Sequence, residues 1–109
     1  MPTLVDEITP SIVSSTAGNS ANNAVDKDVS TAFTAEGEAT LKLHFDKLYF
    51  INKIIIYSDF YTNWYNTSDS CQTSEAAYRE CKGGGGVRAE TVQGQAAATC
   101  GEVQVSGGA

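Results

Sequence analysis

The segment Ser20–Phe33 concentrates oxygen-bearing side chains in a short stretch of the chain. Its amide, carboxylate and hydroxyl groups belong to Asn23, Asp26, Asp28, Ser30 and Thr31. Side-chain oxygens crowded on one turn repel each other unless a positive charge lies between them, and Ca²⁺ takes about six to eight oxygen ligands. The segment therefore predicts either a calcium-binding loop or a turn whose Asp and Asn side chains cap their own backbone.

A second stretch, residues 60–65, concentrates aromatic side chains. Aromatic faces stack on sugar rings, and the polar tips of Tyr and Trp supply hydrogen bonds. We interpret Tyr61, Trp64 and Tyr65 as ligand-binding residues, and we assign Arg79 to the same surface. The alternative is that these rings fill the core of a small domain.

Three cysteines are present, Cys71, Cys81 and Cys100. Cys71 and Cys81 flank a short polar segment, and a disulfide that closes such a loop contributes about 3 kcal/mol in the chain-entropy model. We predict this disulfide, which places the chain in an oxidising compartment. Cys100 is then left over, either buried and inert or paired with another chain.

The sequence does not contain a recognisable catalytic set. His44 is the single histidine, so no nucleophile, base and orienting group can be assembled around it. Lys82 precedes four glycines, but the Gly-Lys-Ser/Thr order of a phosphate-binding loop is missing. We therefore predict a protein that is not an enzyme.

Length and charge narrow the class of protein further. The chain has 109 residues, enough for one domain, and a net charge of −6. The charge argues against a nucleic-acid partner, because no basic stripe is present to neutralise phosphates. No apolar run is long enough to span a bilayer. We expect an extracellular or cell-surface domain that belongs to a longer secreted protein.

Alternating patterns predict the strands that hold these residues. Thr40–Lys47 alternates apolar and polar side chains, which is typical of a half-buried strand, and Lys53–Tyr57 is a β-branched run. Further strands are predicted over Ile12–Val13, Val87–Val92 and Gly101–Val105, with a lead-in over 1–10 that holds an edge strand within Thr3–Ile8.

The remaining segments are predicted to be turns and loops. Ser20 is expected to cap a helical turn over Ala21–Val25. Residues 58–86 are expected to form a long loop that contains a helical turn within Thr73–Lys82 and ends in the glycine run. The chain is thus predicted to be one all-β domain over residues 1–109, with short strands that favour a sandwich.

Three segments together resemble the discoidin domains, also known as coagulation factor V/VIII C-type domains. SSTAGNSANNAVDKDVSTAF (14–33) resembles the opening turn and loop, and LKLHFDKLYFINKIIIY (41–57) resembles the next two strands. TCGEVQVSG (99–107) resembles the closing strand. The chain departs from the family in being shorter between Tyr57 and Val87, and in having Lys27 where the family has a glycine.

The resemblance implies a jelly-roll β-sandwich, reduced in the middle, with a structural calcium. The family's metal ligands fall on five positions of this chain: Asn23, Asp26, Asp28, Thr31 and Glu102. The sugar-binding pattern of the related fucose lectins, a His and a distant Arg-x-Asp-Gly, is absent and is not transferred.

We therefore expect a lectin-like recognition or cell-adhesion domain that binds a glycan, or a cell-surface or matrix protein, through its loops. The alternative is a protein-interaction or assembly module without a sugar site. Such a module would join copies of the chain through Cys100 or an exposed strand edge.

Overall fold

The computed structural model describes residues 7–17, 20–26, 31–35, 37–58, 63–69, 71, 74–79, 86–94 and 98–108, with the backbone alone for 74–79 and Ala98. They form a single eight-stranded sheet. The strands are β1 (Glu7–Ile8), β2 (Ile12–Ser15), β3 (Phe33–Thr34), β4 (Ala39–Ser58), β5 (Asn63–Asn66), β6 (Ser74–Arg79), β7 (Gly86–Gln93) and β8 (Ala98–Gly108). All pairs are antiparallel except β4 with β6. The all-β class is confirmed.

Strand β4 organises the sheet. Its first half pairs with β2 on one side and with β8 on the other. Its second half pairs with β7 and, in parallel, with β6. The two strands predicted over Thr40–Lys47 and Lys53–Tyr57 are therefore parts of one strand of 20 residues.

An irregularity near Asn52 keeps both halves of β4 in the same core. Before the irregularity, Leu41, Leu43 and Ile51 are buried, at odd-numbered positions. The pairing with β7 shifts register between Ile51 and Lys53, and afterwards Ile54 and Ile56 are buried. Side chains alternate strictly along a regular strand, so one extra residue at a bulge moves the buried set from odd to even positions.

The edges of the sheet meet across the core. Strand β3 pairs with β7, and β5 pairs with β8. The ring of Phe33 on β3 nevertheless meets the ring of Trp64 on β5 edge to face, with centroids 5.9 Å apart. The sheet therefore curls on itself around one hydrophobic core.

Residues 58–86 differ from the predicted long loop. Strand β5 pairs with β8, and β6 pairs with the second half of β4. The helical turn expected within Thr73–Lys82 is wrong, because Ser74–Arg79 is extended. The sequences of β5 and β6 show no clear alternation of apolar and polar residues. Their partner strands supply the backbone hydrogen bonds that hold each of them extended.

The disulfide also differs from the prediction. Cys71 is bonded to Cys100, with Cα atoms 5.5 Å apart, rather than to Cys81. Cys71 follows β5, and β5 lies against β8, which carries Cys100. Proximity in the sheet therefore outweighs proximity along the chain. Cys100 is not left over, and Cys81 lies outside the described residues.

The other elements follow the predictions closely. The strands expected over Ile12–Val13, Val87–Val92 and Gly101–Val105 are present as β2, β7 and β8. A 3-10 turn over Ala21–Ala24 takes the place of the predicted helical turn, but the side chain of Ser20 does not cap it. Within the described part of the chain, no helix is long and apolar enough to cross a bilayer.

Candidate functional site

One face of the sheet points away from the core where β4, β8 and β5 lie side by side. We call it the outer face. Directly paired residues lie on the same face of a sheet, so the pairs Thr40–Ser106, Lys42–Gln104, His44–Glu102 and Tyr65–Ser106 form rows across it. The intervening residues Leu41, Leu43, Val103 and Val105 are fully buried on the opposite face.

Hydroxyl groups on the outer face are joined in a continuous chain. Ser106 Oγ lies 2.9 Å from Thr40 Oγ1 and 2.7 Å from Thr67 Oγ1. The side-chain amide of Gln104 donates to Thr67 Oγ1 at 3.2 Å. A hydroxyl both donates and accepts hydrogen bonds. This chain can therefore reorient its protons to suit either kind of ligand group.

A cleft of about 170 Å³ opens at one end of this chain. Its lining consists of Thr16, Glu38, Ala39, Thr40, Tyr65, Ser106 and Gly107. Tyr65 is 52% exposed, so its ring is available at the rim. We call this feature the Tyr65 cleft. It combines an aromatic surface, three hydroxyl side chains and one carboxylate.

A smaller cavity lies further along β8. It has a volume of about 30 Å³ and is lined by Ser68, Asp69, Glu102 and Gln104. We call it the Glu102 cavity. One of its two carboxylates belongs to Glu102, whose Oε1 lies 3.6 Å from His44 Nε2.

The turn that carries Ser68 and Asp69 is held by side-chain hydrogen bonds. The backbone N–H of Ser68 donates to Asn66 Oδ1 at 2.9 Å, and Asn66 Nδ2 donates to the carbonyl of Cys71 at 3.1 Å. The backbone N–H of Gln104 donates to Ser68 Oγ at 2.8 Å. These bonds fix the Glu102 cavity beside β8.

The predicted ligand-binding residues separate in the structure. Tyr65 lies at the cleft, whereas Trp64 is 4% exposed and packs against Phe33. Successive residues of a strand point to opposite faces, so only one of these neighbours can reach a ligand. The structure therefore assigns Trp64 to the core, as the alternative interpretation expects. Tyr61 lies outside the described residues, as does the side chain of Arg79 on β6.

Three of the predicted metal ligands lie close together. The hydroxyl of Thr31 is 2.6 Å from Asp26 Oδ2 and 3.5 Å from the carbonyl oxygen of Asn23. Asp28 lies outside the described residues. Glu102 lies on the outer face, where its Oε1 is 3.6 Å from His44 Nε2.

The oxygens of Asn23, Asp26 and Thr31 therefore form a small cluster around the Thr31 hydroxyl. A hydroxyl that donates to a carboxylate holds a loop by itself, and the same oxygens are of the type that Ca²⁺ prefers. Within the described ranges, no group of three or more His, Cys, Asp and Glu side chains is placed to hold a metal ion.

The sequence interpretation missed most of the cleft. Thr40 and Ser106, which line the cleft, and Gln104, which lines the neighbouring Glu102 cavity, were not singled out, although the alternating segments TLKLH and EVQVS point them away from the core. The alternation shows that these side chains face outward. It does not show that β4 and β8 are neighbours, and only their pairing turns separate polar positions into one surface.

Comparisons with protein-family models, with curated proteins and with solved structures found no match to this chain.

Proposed function

We propose that this domain is an extracellular recognition module, without enzymatic activity, that binds a glycan at the Tyr65 cleft. The observation that carries the proposal is the combination of the half-exposed Tyr65 ring with the hydroxyls of Thr16, Thr40 and Ser106 in one cleft. The apolar face of a sugar stacks on an aromatic ring. Its hydroxyl groups find donors and acceptors in the side-chain hydroxyls opposite.

The size and polarity of the cleft support a sugar over a larger apolar ligand. Pockets for drug-sized molecules have volumes of roughly 300–1,000 Å³ and mostly apolar linings. A cleft of about 170 Å³ with a mainly polar lining suits a ligand about the size of one sugar ring. Glu38 adds a carboxylate that can accept hydrogen bonds from two sugar hydroxyls.

The proposal includes the features that the resemblance implies. We propose a discoidin-like jelly-roll β-sandwich with a structural calcium, to which Asn23, Asp26 and Thr31 would contribute oxygens. Their close approach around the Thr31 hydroxyl supports the calcium loop. The Cys71–Cys100 disulfide supports an oxidising, extracellular location.

The proposal is tested by a glycan-array screen with two matched variants. Tyr65→Ala removes the exposed ring at the cleft, and Phe50→Ala removes an exposed ring that does not line it. We expect Tyr65→Ala to abolish the array signal and Phe50→Ala to leave it unchanged. An array without bound glycans, or a signal that survives Tyr65→Ala, would overturn the proposed site.

A second candidate function is protein interaction or self-assembly, and exposed apolar side chains favour it. Leu48 and Phe50 on β4 are 68% and 59% exposed, and Ile12 on β2 is 63% exposed. A cysteine-linked assembly would now have to use Cys81, because Cys100 is bonded to Cys71. Loss of self-association in Phe50→Ala, without any effect of Tyr65→Ala, would favour this candidate.

A further inference from the structure

We propose that the ligand of the outer face is a linear, uncharged oligosaccharide that lies along β8, from the Tyr65 cleft to the Glu102 cavity. This inference rests on the proposed function and deepens it, because it names the class of glycan. It distinguishes a chain that occupies several subsites from a single terminal sugar held in the cleft alone.

The two cavities share strand β8 as their floor. Ser106 lines the Tyr65 cleft, Glu102 lines the Glu102 cavity, and Gln104 lies between them on the same strand. Outward-pointing residues of a strand are about 6.8 Å apart, so these three positions span roughly 14 Å, the length of on the order of three sugar units. The Glu102 cavity, at about 30 Å³, has room for a water molecule but not for a sugar ring. A ligand that stacks on Tyr65 and also reaches the half-exposed Glu102 carboxylate beside that cavity must therefore be a chain.

The surface between the cavities is polar and continuous. The hydrogen-bonded series Ser106–Thr67–Gln104 leads from one cavity to the other. Lys42 is paired with Gln104 and lies beside this path. These groups offer donors and acceptors at each step, as the hydroxyls of successive sugars require.

The far subsite has the chemistry for a pair of neighbouring hydroxyls. Glu102 presents a half-exposed carboxylate, and its neighbour His44 is half-exposed as well. Asp69 adds a second carboxylate to the cavity. A carboxylate accepts hydrogen bonds from two hydroxyls but repels a uronic acid or sulfate. The two carboxylates of Glu102 and Asp69 outnumber the one ammonium group of Lys42 beside them, so the negative charge that remains favours an uncharged chain.

The test measures affinity as a function of chain length by calorimetry. The probes are uncharged cello-, manno-, malto- and chito-oligosaccharides of one to five units, with a uronic-acid series for comparison. We expect affinity to rise from one unit to about three units and then to level off. A hydrogen bond to a charged group contributes about 1.5–3 kcal/mol, so the far subsite corresponds to a gain of about tenfold or more.

Two matched variants locate the subsites. Glu102→Gln should weaken binding of the three-unit probe by about tenfold and leave binding of the one-unit probe unchanged. Glu90→Gln, on the other half of the sheet, should leave the binding of both the three-unit and the one-unit probe unchanged. Tyr65→Ala should weaken binding of every probe. Thermal melts of all variants show whether each one is folded.

Each outcome has a distinct meaning. Binding that depends on Tyr65 but neither on chain length nor on Glu102 would overturn the extended site and leave the glycan-binding function standing. Preference for the uronic-acid series would overturn the selection for uncharged chains. Failure of every probe, together with an array without bound glycans, would overturn the proposed function and this inference with it.

Discussion

Trp64 and Tyr65 are neighbours in the chain with opposite roles. The indole of Trp64 packs against Phe33 in the core, whereas the ring of Tyr65 is half-exposed at the cleft. The cause is the pleat of β5, which sends successive side chains to opposite faces. At the scale of single residues, side-chain direction therefore decides between a stabilising and a ligand-binding role.

This difference leads to a first prediction. Trp64→Ala should lower the free energy of unfolding by about 3–5 kcal/mol, because it leaves a large cavity in the core. Tyr65→Ala should change it by no more than about 0.5 kcal/mol, as is usual for surface substitutions. Urea denaturation of both variants provides the measurement. Equal losses would contradict the assignment of Trp64 to the core and Tyr65 to the surface.

The oxygen cluster at Asp26 leads to a second prediction. Calcium at 100 times its dissociation constant should stabilise the protein by about 2.7 kcal/mol, which raises the midpoint of a thermal melt by roughly 10 °C or more. Asp26→Asn keeps the size of the side chain and removes its charge, so the rise should disappear. Asp69→Asn, away from this loop, serves as the control. If calcium has no effect on the parent and metal analysis finds none, the loop is held by the Thr31 hydrogen bond instead.

At the scale of elements, β4 and β8 carry the candidate site. Their pairing places Thr40 beside Ser106 and His44 beside Glu102. Strand β5 then adds Tyr65 and the turn that follows it. The site therefore depends on how closely β5 approaches β8, and this approach requires a glycine at position 107.

The close approach leads to a third prediction. Gly107 is paired with Trp64, and a Cβ atom at position 107 would collide with the backbone of Asn63 and Trp64. Gly107→Ala should therefore cost about 1–3 kcal/mol, the usual range for overpacking, and should distort the Tyr65 cleft. The matched control is Gly101→Ala on the same strand, where the new Cβ would lie 3.3 Å from the tip of the exposed Leu48 side chain and 3.7 Å from the carbonyl oxygen of Lys47, without a collision.

The two glycine variants can be compared by their urea midpoints. We expect a clear decrease for Gly107→Ala and a much smaller change for Gly101→Ala. A Gly107→Ala protein as stable as its Gly101→Ala counterpart would show that β5 and β8 can move apart at low cost, in which case the cleft is not held as closely as we propose.

At the scale of the whole molecule, the Cys71–Cys100 disulfide joins the connection after β5 to the closing strand. Both cysteines are buried, at 0% and 2% exposure, so the bond lies within the core. It encloses a loop with a sequence separation of 29 residues that includes β6 and β7. The bond thereby closes the loop that carries β6 and β7, and both of its ends lie beside the site strands β5 and β8.

The disulfide leads to a fourth prediction. A loop of this length corresponds to roughly 3–4 kcal/mol in the chain-entropy model. Replacing both Cys71 and Cys100 by Ala should therefore lower the melting midpoint strongly, whereas Cys81→Ser should leave it unchanged. If Cys81→Ser lowers the midpoint as much as the double replacement does, Cys81 takes part in the stabilising bond.

Mass measurement under non-reducing conditions completes this comparison. A dimer that disappears in Cys81→Ser would support assembly through that cysteine and favour the second candidate function. A monomer in which two cysteines are oxidised and one is free would agree with the Cys71–Cys100 bond. It would also show that the chain does not assemble through a disulfide.

The sequence by itself determined the elements with a strong local pattern. Alternation along TLKLH and EVQVS predicted strands with the correct inward residues, because burial of one face imposes a period of two. The same local reasoning singled out Asn23, Asp26 and Thr31, and the Thr31 hydroxyl lies 2.6 Å from Asp26 Oδ2 and 3.5 Å from the carbonyl oxygen of Asn23.

Only the tertiary structure decided the features that depend on distant neighbours. Four features follow from which strands lie side by side. They are the joining of two predicted strands into β4, the strands within 58–86, the partner of Cys71 and the burial of Trp64. The Tyr65 cleft has the same origin, because its walls come from β4, β5 and β8. Pairing between segments far apart in the chain leaves little local trace, since a strand's pattern records which face is buried but not which strand lies beside it.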